Sequence, residues 1–330
     1  MKAVRIHQYG GAEELKYEDA PVPTISDNEL LVKVYATSVN HLEIKKAEGV
    51  LKGHIDLEFP WIPGYDFSGT IENVGADVSG FEVGDKVYGN CNGGSYAEYV
   101  AVSPFTTVKM PENLTFIEAA SAPHVAETAW QAIHEHGQLK EGEKVLIHGA
   151  AGAVGAYATQ FACKTGAIVY ASVSAKDKAY IETLGAQVVI DYKTEDFTQI
   201  AKDMDLVIDL VGGDTQRKSY SVLKKGGRLV STTGAILEEE AQKHQVTGIA
   251  MVMRQSAEDL KVITEMFKRN ELNTDVQLTY FLPDAAEGWK IMLGTDPNLP
   301  ALSHGKIVLQ VVQEEGKASG SMIGDCDQCY

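Results

Sequence analysis

Apolar and polar positions alternate along the first third of the chain and then change period. In ELLVKVYATSVN (29–40), Leu30, Val32, Val34 and Ala36 fall on one side, the pattern of a half-buried strand. FSGTIENVG, DKVYG, GSYAEYVAV and TTVKM follow as further short strands separated by Gly, Asp or Pro. Closely spaced strands with glycine turns predict a compact, barrel-like β-rich unit. Near residue 123 the period lengthens. ETAWQAIHEHG reads as a helix ending at Gly137, and KVLIH (144–148) as a strand. Val154 to Thr165 reads as a helix with the stripe Val154, Tyr157, Ala158, Phe161 and Ala162, stopped by Gly166. IVYASV (168–173), VVID (188–191), DLVIDL (205–210) and RLVST (228–232) continue as apolar strands with helical stretches between them. That alternation predicts an α/β fold with a doubly wound parallel sheet.

After a helix at 256–270, opened by a Ser256/Asp259 capping box, strands return as DVQLTYFL and KIVLQVV (306–312), around a short helix at 284–293. They are read as rejoining the first unit. The expected division is a β-rich domain at 1–122, a dinucleotide-binding domain at 123–270, a completing part of the first domain at 271–312, and a polar, Gly/Ser-rich tail at 313–330 that predicts disorder. No internal repeat is seen.

Composition narrows the function. A chain of 330 residues suits two domains. Its net charge of −17 argues against nucleic-acid backbones and anionic membranes as main partners. A phosphorylated ligand therefore needs a local positive patch on an acidic body. The four cysteines, Cys91, Cys163, Cys326 and Cys329, are too few for a disulfide framework, so a cytoplasmic location is expected. The opening MKAVRIHQYG reads as a strand rather than a signal peptide, and no apolar run approaches the roughly 18 residues of a membrane span.

The candidate chemistry starts at HGAAGAVG (148–155), between a strand and a helix. Gly149-x-x-Gly152-x-x-Gly155 in that setting is a phosphate-cradling turn. Gly152 lets backbone approach a pyrophosphate, Gly155 lets the helix pack tightly on the sheet, and the amides through Ala151, Ala153 and Val154 face the anion, aided by the helix dipole. Ala150 stands where the commoner fingerprint has a glycine, which requires a negative φ there. The plain alternative is a small-residue turn with no ligand. At the end of the second strand an NAD site has an acid. Here Ser174 stands at that place, with Lys176 and Lys178 after it, a set that suits the 2′-phosphate of NADPH. Asp177 lies between the lysines and is expected to point elsewhere; the lysines could equally be solvated. Tyr192 covers the adenine, reaches the phosphate or sits on the rim. Val211 and Gly212, and Thr233 with Gly234, follow later strands at the carboxyl edge where ligands lie in such sheets.

With these motifs in order, the chain resembles the medium-chain dehydrogenase/reductase superfamily, and specifically its zinc-independent quinone oxidoreductase branch, over about residues 1 to 312. The resemblance rests on SVNHLEIKKAEG (38–49), IPGYDFSGTIENVG (62–75), HGAAGAVGAYATQFA, VVIDYKTEDF, DLVIDLVGG and GKIVLQVV. It implies a GroES-like barrel domain beside a Rossmann domain. The branch pattern Ser-Val-Asn-Pro-x-Asp-x-Lys is met with His41 for proline and Glu43 for aspartate. The resemblance implies that Asn40 sits near the nicotinamide ribose or the substrate oxygen, although an asparagine there also caps a helix. It further implies that Lys45 serves electrostatics, that Thr128 meets the nicotinamide half, and that Lys306 lies near the phosphates. Tyr65 is a candidate proton donor or a structural phenol. At the positions matching the catalytic zinc ligands of the alcohol dehydrogenases stand Asn40 and Tyr65-Asp66, so no metal site is expected.

Without a Lewis acid the acceptor must already be electron-poor, as is a quinone or the C=C of an α,β-unsaturated carbonyl. The leading expectation is thus an NADPH-dependent reductase of such molecules, forming a homodimer through an edge such as RLVSTTGAILE. A zinc-type alcohol dehydrogenase and a non-catalytic NADPH-binding sensor remain alternatives.

Overall fold

The computed structural model describes residues 1–312, and the tail from Gln313, with Cys326 and Cys329, lies outside the described residues. Two sheets organise the chain. The first has six strands in the spatial order Val188–Asp191, Ile168–Val173, Lys144–His148, Met204–Asp209, Leu223–Ser231 and Thr247–Ala250. Every adjacent pair is parallel. Parallel strands need apolar side chains on both faces, because the crossover helices cover both. Val145 and Ile147 pack with Ala158 and Phe161 of the helix Ala153–Lys164 on one face. Leu146 and Val207 pack with Ile190 and Tyr220 on the other. The winding reverses between Lys144–His148 and Met204–Asp209, which opens a crevice at their carboxyl ends.

The second sheet has seven strands. Along it lie Val276–Phe281, Lys306–Gln310, Leu30–Ser38, Asp66–Val74, Lys86–Asn90 and Thr107–Lys109, with Tyr99–Val102 also on Leu30–Ser38. Leu30, Val32, Val34 and Ala36 are all buried, as their alternation predicts. Lys306–Gln310 runs antiparallel to Leu30–Ser38, with Val308 opposite Ser38. Val276–Phe281 and Lys306–Gln310 therefore lie in one sheet with Leu30–Ser38 from the first part of the chain.

Several local expectations are corrected. RLVST belongs to Leu223–Ser231, which is paired on both sides and is not an edge. The edges are Val188–Asp191 and Thr247–Ala250, the latter a four-residue strand whose Gly248 packs its bare Cα against Ile236 and weakens the strand pattern. The helix expected to run to Gly137 is α-helical over Pro123–Trp130 and continues as a π-helix over Gln131–His136. Among the described residues no helix is long and apolar enough to cross a membrane.

Candidate active site

Gly149 adopts φ +70° and Gly152 φ −66°. The left-handed turn thus falls on Gly149, and Ala150 is not among the residues with positive φ. That is why alanine is tolerated in the second position. A Cβ on Gly155 would collide with the Gly149 carbonyl oxygen and come within 2.6 Å of the Ala150 Cα, so glycine there lets the helix sit on the strand. Gly152 differs: a Cβ would meet only the Gly149 oxygen at 3.3 Å. Packing does not demand glycine at 152; its bareness leaves the floor of a cleft uncovered. The first amides of the helix Ala153–Lys164 have no intrahelical acceptor and open at the same point.

A cleft of about 920 Å³ lies over this turn. Gly149, Ala151, Gly152, Ser174, Lys176, Tyr192 and Val211 line it. Volume, glycine floor and free helix amides together fit a dinucleotide. Sequence reasoning missed three groups on its walls. Lys193 and Lys218 line it and add positive charge to an acidic protein. His148 does too; its Nε2 lies 3.0 Å from the Ser219 hydroxyl, and burial pushes its pKa down to about 4, so the ring is neutral. Asp177, expected to point elsewhere, is buried and lines the cleft. Lys178 does not line it; its ammonium is 2.9 Å from Glu195 Oε2 and is committed to that pair.

Asp209 was not singled out from the sequence and organises the next loop. It is buried at the end of Met204–Asp209. Its Oδ1 accepts from the amides of Val211 (3.1 Å) and Gly212 (2.8 Å), and its Oδ2 from Ser231 Oγ (2.9 Å). Thr233 Oγ1 lies 3.0 Å from the same serine hydroxyl, and Thr233 and Gly234 are exposed beside it. The signal for Asp209 was an acid ending an otherwise apolar strand.

A second cluster is buried in the β-rich sheet. Asn40 opens the helix His41–Ala47, and its amide is used at both ends. Nδ2 donates to Asp66 Oδ2 (2.9 Å) and Oδ1 accepts from Lys306 Nζ (2.6 Å). Asp66 also accepts from Ser38 Oγ (2.6 Å) and from the His124 amide (2.7 Å). The ammonium of Lys306 is buried, bonded to the Val39 carbonyl (2.8 Å) and 3.6 Å from Asp66. The resemblance implied a phosphate contact for Lys306, and the geometry corrects this. Its neighbour Gly305 bridges to Gly152, so the backbone passes the glycine turn, but the side chain turns inward to neutralise Asp66.

Tyr65 is buried, and its hydroxyl has no hydrogen-bond partner. Burial raises its pKa well above the usual phenol range, so it stays protonated. The lysine beside it is Lys46, with Nζ 4.7 Å from the ring centre, whereas Lys45 is exposed one residue earlier on the helix. His124 is also near Tyr65, ring centres 6.0 Å apart; its Nδ1 is likewise unpartnered, and burial lowers its pKa to about 4. Thr128 Oγ1 donates back to the His124 carbonyl at 2.6 Å, which uses its only proton. Among the described residues no group of three or more His, Cys, Asp or Glu side chains is placed to hold a metal ion.

Two family models match the chain. Residues 26–112 match the alcohol dehydrogenase GroES-like domain, and residues 184–295 match a family described as zinc-binding dehydrogenase. A 2-methylene-furan-3-one reductase of Solanum lycopersicum is 36% identical over 72% of this chain and 63% of its own length, so the match spans less than two thirds of that relative. A chloroplast envelope quinone oxidoreductase homolog of Arabidopsis thaliana is 30% identical over 88% of this chain and 94% of its own. Among solved structures, the quinone oxidoreductase from Coxiella burnetii superposes with a TM-score of 0.85 at 32% identity, covering 94% of this chain and 99% of that one. A mycobacterial protein solved with NADPH gives 0.83 at 27% identity, covering 94% and 100%. Sheet order, glycine turn and relatives agree: the chain belongs to the quinone oxidoreductase group of the medium-chain dehydrogenase/reductase superfamily.

Proposed function

We propose that this protein is an NADPH-dependent reductase of quinones or of the activated C=C of α,β-unsaturated carbonyls. The observation that carries the reading is the cleft at the switch point, floored by a glycine whose missing side chain internal packing does not require. When bound, the nicotinamide supplies a hydride. Gly149 to Gly155 and the helix amides hold the pyrophosphate. Ser174, Lys176 and Lys193 meet the adenosine end, and Tyr192 and Val211 offer apolar surface. The loop held by Asp209, with Gly212, Thr233 and Gly234, borders the nicotinamide half. Similarity to a 2-methylene-furan-3-one reductase and to a quinone oxidoreductase homolog supports an electron-poor acceptor.

At the acceptor, Tyr65 donates a hydrogen bond or a proton to the oxygen on which charge collects. Its partnerless hydroxyl supports this, and the Lys46 ammonium beside the ring favours any negative charge the phenol takes up. Asn40 acts through position. Both ends of its amide are committed, so it fixes the turn between Leu30–Ser38 and the helix rather than touching the acceptor. The same commitments support a metal-independent reaction, because Asp66 is already saturated by Ser38, Asn40 and His124. The edge strand Thr247–Ala250, followed by the fully projecting Val252, supports a homodimer formed by pairing two such edges. The free thiols Cys91 and Cys163 support a reducing, cytoplasmic setting.

The test is NADPH oxidation by chelator-treated protein against a panel of quinones and enones. Turnover with at least one class supports the reading; tight NADPH binding without oxidation of any acceptor would replace it with a binding role.

A further inference from the structure

Ser174 directly follows the strand Ile168–Val173 of the parallel sheet, where the 2′ substituent of the adenosine ribose is met in such folds. Its hydroxyl donates to Asp177 Oδ2 at 2.5 Å. Asp177 is 5% exposed, yet it lines the cleft. Helix capping does not account for the pair. Ser174 precedes the turn Ala175–Asp177 and Asp177 precedes the helix Lys178–Thr183, but neither side chain bonds a backbone amide of the element it opens. The pair instead sits in the wall of the cleft, which both residues line.

An ionised carboxylate only accepts hydrogen bonds. It welcomes a ribose 2′-hydroxyl and repels a 2′-phosphate. Lys176 and Lys193 line the same cleft, both exposed, and neither is in an ion pair among the described residues, whereas Lys178 is held by Glu195. The same subsite therefore contains an acceptor suited to NADH and two cations suited to NADPH.

We propose that Asp177 is a specificity-determining residue that keeps the cofactor cleft open to NADH as well as NADPH, against the pull of Lys176 and Lys193. The proposal rests on the dinucleotide reading above. Removing the charge leaves the lysines unopposed, and removing a lysine leaves the carboxylate unopposed.

The experiment compares wild type, Asp177→Asn, Asp177→Ser and Lys193→Ala. It measures kcat/KM for NADPH and NADH with one quinone, and Kd for 2′,5′-ADP and 5′-AMP by calorimetry. The wild type is expected to oxidise both cofactors. Both Asp177 variants should raise the NADPH/NADH ratio by about tenfold, and Lys193→Ala should lower it by about tenfold, since one such charge contact corresponds to that factor. The 2′,5′-ADP to 5′-AMP affinity ratio should move in the same directions. A change of less than about twofold in both ratios for folded Asp177 variants would overturn the proposal. So would loss of folding in both, because the side chain would then be structural. If no acceptor is turned over, the affinities still decide the role of Asp177, so failure of the reductase reading is seen separately.

Discussion

The Nζ of Lys306 donates to Oδ1 of Asn40 across 2.6 Å, although 266 residues separate them. This bond joins the start of the last strand to the end of the Leu30–Ser38 strand, and Asp66 supplies the counter-charge at 3.6 Å. Desolvation lowers the lysine pKa, and the Asp66 and Glu43 charges oppose that shift. Replacing Lys306 by Met leaves Asp66 buried without its cation. The expected loss is about 3–5 kcal/mol of stability, since removing one partner strands the other. Urea unfolding of Lys306→Met measures it, and an unchanged midpoint would show that the pair carries no structural load.

Asp209 gives a prediction in the cofactor cleft. Asp209→Asn removes the charge from the bonds to the amides of Val211 and Gly212 and leaves the side chain nearly isosteric. The loop loosens and KM for NADPH rises by about tenfold, with a smaller change in kcat. Steady-state kinetics against NADPH at fixed acceptor concentration checks this.

These two residues also mark the limit of what was legible in the chain. The periodicity of Leu30 to Ala36 and of Val154 to Ala162 dictated the sheets and the dinucleotide helix, because burial acts on every turn or pleat of an element. Gly155 was readable because backbone crowding leaves no room there for a side chain, and Gly152 because its bareness keeps the cleft floor open. Lys306 and Asp177 were misread because each is a charged residue whose direction depends on a distant or local polar partner. No spacing rule shows that Lys306 faces Asn40, or that the Ser174 hydroxyl turns to Asp177 instead of a helix amide. Lys193 and Lys218 were missed for a related reason: Lys193 sits within VVIDYKTEDF, where only Tyr192 drew attention, Lys218 lies on the helix Gly213–Ser219, and both reach the cleft only through packing.

Tyr65→Phe keeps the ring packed beneath Lys46 and removes only the hydroxyl. Because that hydroxyl is unpartnered, folding should be unaffected or slightly improved. Activity should fall by about 10²-fold in kcat with an enone, the usual weight of one positioned proton donor. A Phe variant with wild-type kcat would remove Tyr65 from the chemistry.

Stability should fall as the solution is made alkaline. Burial pushes the Glu127 carboxyl up to about 9 and Glu43 up to about 8, against a reference of 4.5. The folded state holds these protons more tightly than the unfolded state does. Their contribution is complete below pH 4.5 and is lost as pH rises through 8 and 9. His124 and His148 act in the opposite sense, with pKa values of about 4 against 6.5, so their contribution is present above 6.5 and lost toward 4. Denaturation midpoints should therefore peak in the mildly acidic range and decline toward pH 9. Glu127→Gln should flatten the alkaline decline, and an unchanged slope would show that Glu127 titrates normally.

The most direct measurement uses NADPH with both C4 hydrogens replaced by deuterium, with a simple enone and a benzoquinone as acceptors. Oxidation of the cofactor is expected with at least one of them, slowed by the label, and with the enone as acceptor deuterium appears at the β-carbon of the product. Cofactor that binds but is oxidised by neither acceptor, or enone product formed without deuterium at its β-carbon, would contradict direct hydride transfer in this cleft.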